Sequence, residues 1–240
     1  MKVLENEVRG IPMKFVGYTR SLELCSQMNY ETENLDFIDQ IKEDEILYDL
    51  GACEGRFSIY ASLKGILCYS FEPEKNNFDA FLSNIELNNA SKRIRPFKMA
   101  IGDVNKKGKL KIGQPWAGGH QKVIEQSEIR EDLSFDFKEE ELVDVVSLDE
   151  FIDQYDIEFP NYIKIDIDGS ELAFIKGAQK TLGDMRLRKI IFELEINDKN
   201  FNSIMSNLSG NGFEEENRIQ VPNEKFLYNI IFRRSSQKVE

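Results

Sequence analysis

Short apolar runs alternate along this chain with stretches whose apolar residues recur at helical spacing. Residues 33–42 place Leu35, Ile38 and Ile41 at that spacing, with Phe37 beside them, and predict a helix. Residues 45–50 form an apolar run that stops at an aspartate and a glycine, the pattern of a buried parallel strand. A helix over 57–63, a strand over 66–71 and an amphipathic helix over 77–87 follow, the last carrying Phe78, Phe81, Leu82 and Ile85. A third strand is expected over 94–101, and part of a hairpin over 109–112. The rhythm returns with a helix near 147–152, a strand over 162–166, a helix over 171–178, a strand over 188–193 and a helix over 200–208. Two closing strands, 213–221 and 226–232, meet at the turn signal Pro222-Asn223 without a helix between them. Before residue 30 only a strand near 13–17 stands out. Strands separated by helices of about ten residues imply right-handed parallel crossovers. We therefore expect an α/β fold, a doubly wound sheet with helices on both faces and an antiparallel hairpin at one edge.

Residues 114–142 interrupt the pattern. They hold Trp116, Gly118, Gly119 and His120, then an acidic run over 137–141. A long irregular segment inside a domain is either functional or a surface excursion.

In an open α/β sheet, ligands bind at the carboxyl ends of the strands. Here those ends are acidic: Asp49, Glu72, Asp166 with Asp168, and Glu193. The loop after the first strand, DLGACEG over 49–55, leads into a helix, and Gly51 and Gly55 let its backbone approach a ligand. It lacks the G-x-G-x-x-G spacing that seats a pyrophosphate, and Glu54 would repel one. A cationic sulfonium with an amino-acid tail suits such surroundings, with Asp49 near its ammonium and sulfonium. Glu72 is placed to accept hydrogen bonds from two ribose hydroxyls. These residues point to S-adenosylmethionine (AdoMet). The alternatives are an NAD(P)-dependent enzyme, a nucleoside-binding module without turnover, or a βα turn and N-cap carboxylate of structural value only.

The net charge of −12 makes nucleic acid a poor partner, and the lysines at 106, 107, 109 and 111 read as a solvated hairpin. Cys25, Cys53 and Cys68 are too widely spaced for a disulfide framework or a zinc set. No window approaches the ~20 apolar residues that span a bilayer, and no signal-peptide pattern opens the chain. The protein is expected to be soluble and cytoplasmic.

The motifs YDLGACEGRF (48–57), SFEPEKN (70–76), MAIGD (99–103), SLD (147–149), IKIDIDGSE (163–171), KGA (176–178) and FE (192–193) resemble the FkbM-type family of class I AdoMet-dependent methyltransferases. The run KIDIDGSE is the most specific element. The match departs at Cys53, where the family often has Asn, and through 114–142, a region that helps shape the acceptor pocket in such enzymes. The resemblance implies a Rossmann-like seven-stranded, mostly parallel sheet with one antiparallel edge strand. It implies a single methyltransferase domain over 45–240, with residues 1–44 packing on or capping the site. By the same carry-over Gly51, Ala52 and Gly55 pack against the methionine part of AdoMet, and Glu72 binds the ribose. Asn76 assists in the second loop, Ala100 and Ile101 flank the adenine with Asp103 nearby, and Asp166 sits by the sulfonium and the acceptor. The acceptor is expected to be a small molecule or a carbohydrate, methylated on a hydroxyl.

Such transfer is an in-line displacement that relies on alignment and exclusion of water. An alcohol acceptor must also lose its proton. His120, Asp166 and Lys164 are the residues that could take it. Asp166 with Glu193 or Glu195 could instead hold a divalent metal such as Mg²⁺, the less favoured reading because no tight ligand cluster is visible.

Overall fold

The computed structural model describes residues 2–125 and 136–235. Part of the interruption expected at 114–142 therefore lies outside the described residues. The chain opens with a hairpin, β1 (Val3–Val8) and β2 (Ile11–Val16), then α1 (Arg20–Cys25) and α2 (Thr32–Asp39). The alternating part runs β3 (Ile46–Leu50), α3 (Arg56–Leu63), β4 (Leu67–Phe71), α4 (Lys75–Leu87) and β5 (Ile94–Phe97). An inserted region follows with β6 (Ala100–Gly102), β7 (Lys106–Ile112), β8 (Lys122–Ile124) and β9 (Glu139–Ser147). The remainder is α5 (Leu148–Tyr155), β10 (Tyr162–Ile165), α6 (Glu171–Gly177), α7 (Gln179–Gly183), β11 (Lys189–Glu195), α8 (Phe201–Gly210), β12 (Phe213–Gln220) and β13 (Leu227–Arg234).

Seven strands form the main sheet in the order β12-β13-β11-β10-β3-β4-β5. Successive residues of a strand face opposite sides, and both sides are apolar. Leu47 joins a core with Phe57, Ile59, Phe81 and Ile191, whereas Tyr48 and Leu50 join one with Phe151, Phe174, Phe192 and Leu208. Helices thus cover both faces, as the sequence predicts. Met13, Phe15, Leu35, Phe37 and Ile38 belong to the first of these cores, so the N-terminal residues are built into the same apolar interior.

Two expectations need correction. The reversed strand is not at the edge: β13 pairs antiparallel with both β11 and β12, so it lies second from the edge. Ile230, Ile231 and Phe232 are buried and need cover on both faces, while β12 exposes Glu214, Glu215 and Glu216 and suits an edge. The third strand is two strands. β5 stays in the main sheet, and β6 leaves it for a four-stranded sheet ordered β6-β9-β7-β8. In that second sheet the acidic run 139–141 pairs with the lysine-rich strand, Glu140 opposite Lys111 and Glu141 opposite Leu110. Opposite charges across an antiparallel pair favour this register.

Candidate functional site

The carboxyl ends of β3, β4 and β10 meet around a cleft lined by Gly51, Ala52, Cys53, Phe71, Glu72 and Asp166, among others. Gly51 has φ +81°, and a Cβ there would sit 1.7 Å from the carbonyl oxygen of Asp166. Only glycine lets the β3 and β10 ends approach so closely. The backbone N–H groups of Gly51 and Ala52 both donate to the Phe71 carbonyl, at 2.9 Å, which pins the loop to β4. Gly55 has φ +84° and opens α3, but a Cβ there would lie 1.9 Å from Phe81 Cδ2. It makes room for a helix contact and does not line the cleft.

Glu54 does not face the cleft either, which corrects the sequence argument built on it. Its carboxylate is 1% exposed and pairs with Arg56 Nη1 at 3.1 Å. Burial opposes its charge, and Arg56 nevertheless holds it below the usual carboxylate range. Arg56 also binds Glu31 Oε2 at 2.8 Å, so this buried guanidinium ties the N-terminal segment to the cleft wall.

Glu72 ends β4 as a buried carboxyl group in the cleft. Its Oε2 accepts from the Cys53 N–H and its Oε1 from the Glu74 N–H, both at 2.9 Å. Burial pushes its pKa up to about 7, against the pull of Lys122 and of these backbone donors. Glu74, next along, caps α4 by accepting from the Asn76 and Asn77 N–H groups, and Lys122 Nζ binds its Oε2 at 2.8 Å.

At the β10 end, Lys164 Nζ stands 3.5 Å from Asp49 Oδ1 and 3.4 Å from Asp166 Oδ2. Burial disfavours its charge, yet Asp166 and Asp49 together raise its pKa above the ordinary lysine value. It is a firmly protonated cation, which suits it to fix Asp166 and not to accept a proton. Asp49 is fully buried, accepts from Ser58 Oγ at 2.6 Å and lies behind the cleft wall.

The segment after β7 returns over this rim. Asn77 holds it: its Oδ1 accepts from the Gly118 N–H at 2.8 Å and its Nδ2 donates to the Gly119 carbonyl at 3.3 Å. Thr19 Oγ1 donates to Ala117 O at 2.7 Å, and Trp116 Nε1 to Ser21 Oγ at 2.9 Å. His120 is thereby placed at the mouth, exposed, between two cavities. The second cavity, of about 640 Å³, adjoins the cleft and shares His120, Asp166 and Asp168 with it. That volume is in the range of small-molecule sites. The Lys122 N–H donates to Asp168 Oδ2 at 3.1 Å, and burial next to Asp166 raises the Asp168 pKa.

Of the residues singled out from the sequence, Gly51, Ala52, Glu72, Ala100, Ile101, His120, Lys164 and Asp166 converge on the cleft. Asp49 and Gly55 support its walls. Asn76 lies outside it, donating to Pro115 O, and Asp103 pairs with Lys106 at 3.1 Å on the surface. Asp168, read with Asp166 as an acidic strand end, also lines the cleft, whereas the sequence reading missed Asn77, Met99 and Lys122 as cleft residues. The Glu74 cap was a usable signal for Asn77, since it fixes which side of the first turn of α4 faces in. Lys122 carried none, being far from every motif. Among the described residues, no three His, Cys, Asp or Glu side chains gather as a metal site, and no helix is long and apolar enough to cross a membrane.

A model of the methyltransferase FkbM domain matches residues 49–215. The chain is 21% identical over 169 residues to the hexuronic acid methyltransferase AglP of Haloferax volcanii, covering 70% of this chain and 64% of that protein. Among solved structures, a methyltransferase FkbM from Methylobacillus flagellatus aligns with TM-score 0.52 and 21% identity over 80% of this chain and 44% of that one. A precorrin-6y C5,15-methyltransferase from Geobacter metallireducens aligns with TM-score 0.53 and 11% identity, covering 92% and 95%. The chain spans less than two thirds of the length of the first two proteins. From Asp49 to Glu215, through the glycine loop, Glu72 and the β10 rim, this chain belongs to the FkbM methyltransferase domain family.

Proposed function

We propose that the chain is an AdoMet-dependent methyltransferase that transfers a methyl group to a hydroxyl of a small metabolite or a sugar unit. The observation that carries this is Glu72: a buried carboxyl group with only two backbone donors, facing a cleft beside a glycine loop. Its raised pKa marks a carboxylate short of hydrogen-bond donors, and a ribose diol offers two. The apolar side chains of Phe71, Met99, Ala100 and Ile101 line the same cleft and fit an adenine ring. Bound there, AdoMet would supply a methyl group already activated by its sulfonium.

The chain's own residues then have to align the acceptor, shed water and move one proton. Asp166 and His120 border both cavities, so a hydroxyl presented from the second cavity meets them at the junction. His120 is the proton acceptor in this reading, since it stands at the mouth where the two cavities meet and its ring nitrogen can accept a proton. Asp166, fixed by Lys164, orients the hydroxyl. Residues 1–44 act as a cap through Glu31 and the contacts of Thr19 and Ser21 with the His120 segment. A sugar acceptor is supported by the likeness to a hexuronic acid methyltransferase. Calorimetry with AdoMet, its demethylated product and NAD tests the proposal. Binding of the first two is expected; heat with NAD alone, or with none of the three, would refute it.

A further inference from the structure

The second cavity has a charge character that the cofactor cleft lacks. Eight carboxyl side chains line it among the described residues, against one lysine, Lys225, and one histidine, His120. They come from four separate parts of the chain: Glu31 from the N-terminal segment, Asp168 and Glu171 from the turn into α6 and its first residue, Glu193 from β11 and Glu224 from the β12–β13 turn. Packing one element does not require this convergence. The carboxyls are also too dispersed to act as a metal cage, since no three gather as a metal site among the described residues. A dispersed ring of acceptors around about 640 Å³ matches an organic ligand with several donors.

Two neighbours strengthen this. The Glu193 side chain lines the cavity and makes no hydrogen bond or ion pair among the described residues, and burial raises its pKa well above the carboxylate range. Glu171 Oε1 accepts from the Gly169 N–H at 2.8 Å, and no cation pairs with its carboxyl group among the described residues. Glu31 and Asp166 already hold Arg56 and Lys164, but the Glu171 and Glu193 side chains have no ion-pair partner among the described residues, so an ammonium entering here finds carboxyl partners that an anion does not. Phe201 and Phe226 add apolar surface for a ring.

The geometry points to an acceptor that carries a protonated amine beside its hydroxyls, an amino sugar or aminocyclitol, and not a uronic acid. This rests on the methyltransferase reading for the word acceptor, but the cavity's charge preference can be measured separately. The protein, saturated with the demethylated cofactor, is titrated with glucosamine, glucose and glucuronic acid by ligand-observed NMR. Glucosamine is expected to bind at least tenfold more tightly than glucose, and glucuronic acid most weakly. In Glu193→Lys the order of glucosamine and glucuronic acid reverses, and in Glu193→Gln the gap between glucosamine and glucose narrows. Glucuronic acid binding as well as glucosamine, or glucosamine binding no better than glucose, overturns the inference. Cofactor calorimetry on each variant comes first: loss of cofactor binding by the unaltered protein sinks the methyltransferase reading, while the sugar titration on free protein still decides the charge preference.

Discussion

If Glu72 binds the ribose as proposed, cofactor binding should depend on pH. The Glu72 pKa stands at about 7 in the free protein against an ordinary 4.5, chiefly through burial. Between those values the folded chain keeps a proton that the unfolded chain has lost. Folding stability is therefore greatest below pH 4.5 as far as this group is concerned, and it falls as pH rises through 7. The displacement corresponds to about 3 kcal/mol. A ribose diol donates to the ionised form, so binding should expel the proton. Below pH 7 the dissociation constant for AdoMet is expected to rise by up to about tenfold per pH unit, and above 8 to level off. Glu171, also raised to about 7, adds a parallel slope to stability, so the variant comparison is the informative one. Glu72→Gln removes the charge, and losing charge-assisted hydrogen bonds worth about 1.5–3 kcal/mol weakens AdoMet about 10- to 150-fold at pH 8. Its affinity should then vary little with pH. Urea unfolding at pH 5 and pH 8, with calorimetry across pH 5.5–8.5, measures both effects. A flat dissociation constant in the unaltered protein, or an unchanged slope in Glu72→Gln, would show that Glu72 does not carry the ribose.

Three further outcomes follow from the same geometry. His120→Ala should lower kcat by about 10²- to 10⁴-fold with AdoMet affinity within about twofold, measured by methyl transfer and calorimetry in parallel; an unchanged kcat removes His120 from the chemistry. Gly51→Ala places a Cβ against the Asp166 carbonyl at positive φ and should cost at least about 2 kcal/mol of stability, read as a lower urea midpoint. Lys164→Met leaves the buried Asp49 carboxylate without its cation and should cost about 3–5 kcal/mol, with much of the loss recovered in Lys164→Met/Asp49→Asn; no recovery in the double variant would mean the pair is not coupled.

The alternation of strands and helices was legible because parallel strands buried on two faces must be short apolar runs, as 46–50 and 67–71 are. Glu72 and Asp166 were legible because strand ends are fixed once strands are. The place of the reversed strand was readable in principle from the contrast between Glu214–Glu216 and Ile230–Phe232. The parting of β5 from β6 was not: Lys98 and Met99 look like more strand, and only pairing of Ala100 with Val145 reveals the change of sheet. The role given to Glu54 failed because its partner Arg56 is two residues away on the first turn of a helix, a local pairing that turns the carboxylate from the ligand. Lys122 was invisible, since its position depends on tertiary packing of an insert.

That lysine shows how the insert and the common sheet depend on each other. Its ammonium binds Glu74, which caps the helix after Glu72, and its backbone N–H binds Asp168, which borders the second cavity. Glu74 also sets the first turn of α4, where Asn77 holds Gly118 and Gly119 and so positions His120. One chain of hydrogen bonds therefore runs from the Glu72–Glu74 corner of the cleft to Asp168 and to the loop that carries His120. Beyond that junction the second cavity is walled largely by the start of α6, by β11 and α8, and by the β12–β13 turn. On the proposed reading, a cofactor cleft at the strand ends and an acceptor cavity walled by β11, α8 and the β12–β13 turn are held in register by the Lys122 N–H and the Asn77 side chain, so a change in one wall of the acceptor cavity need not disturb the cleft.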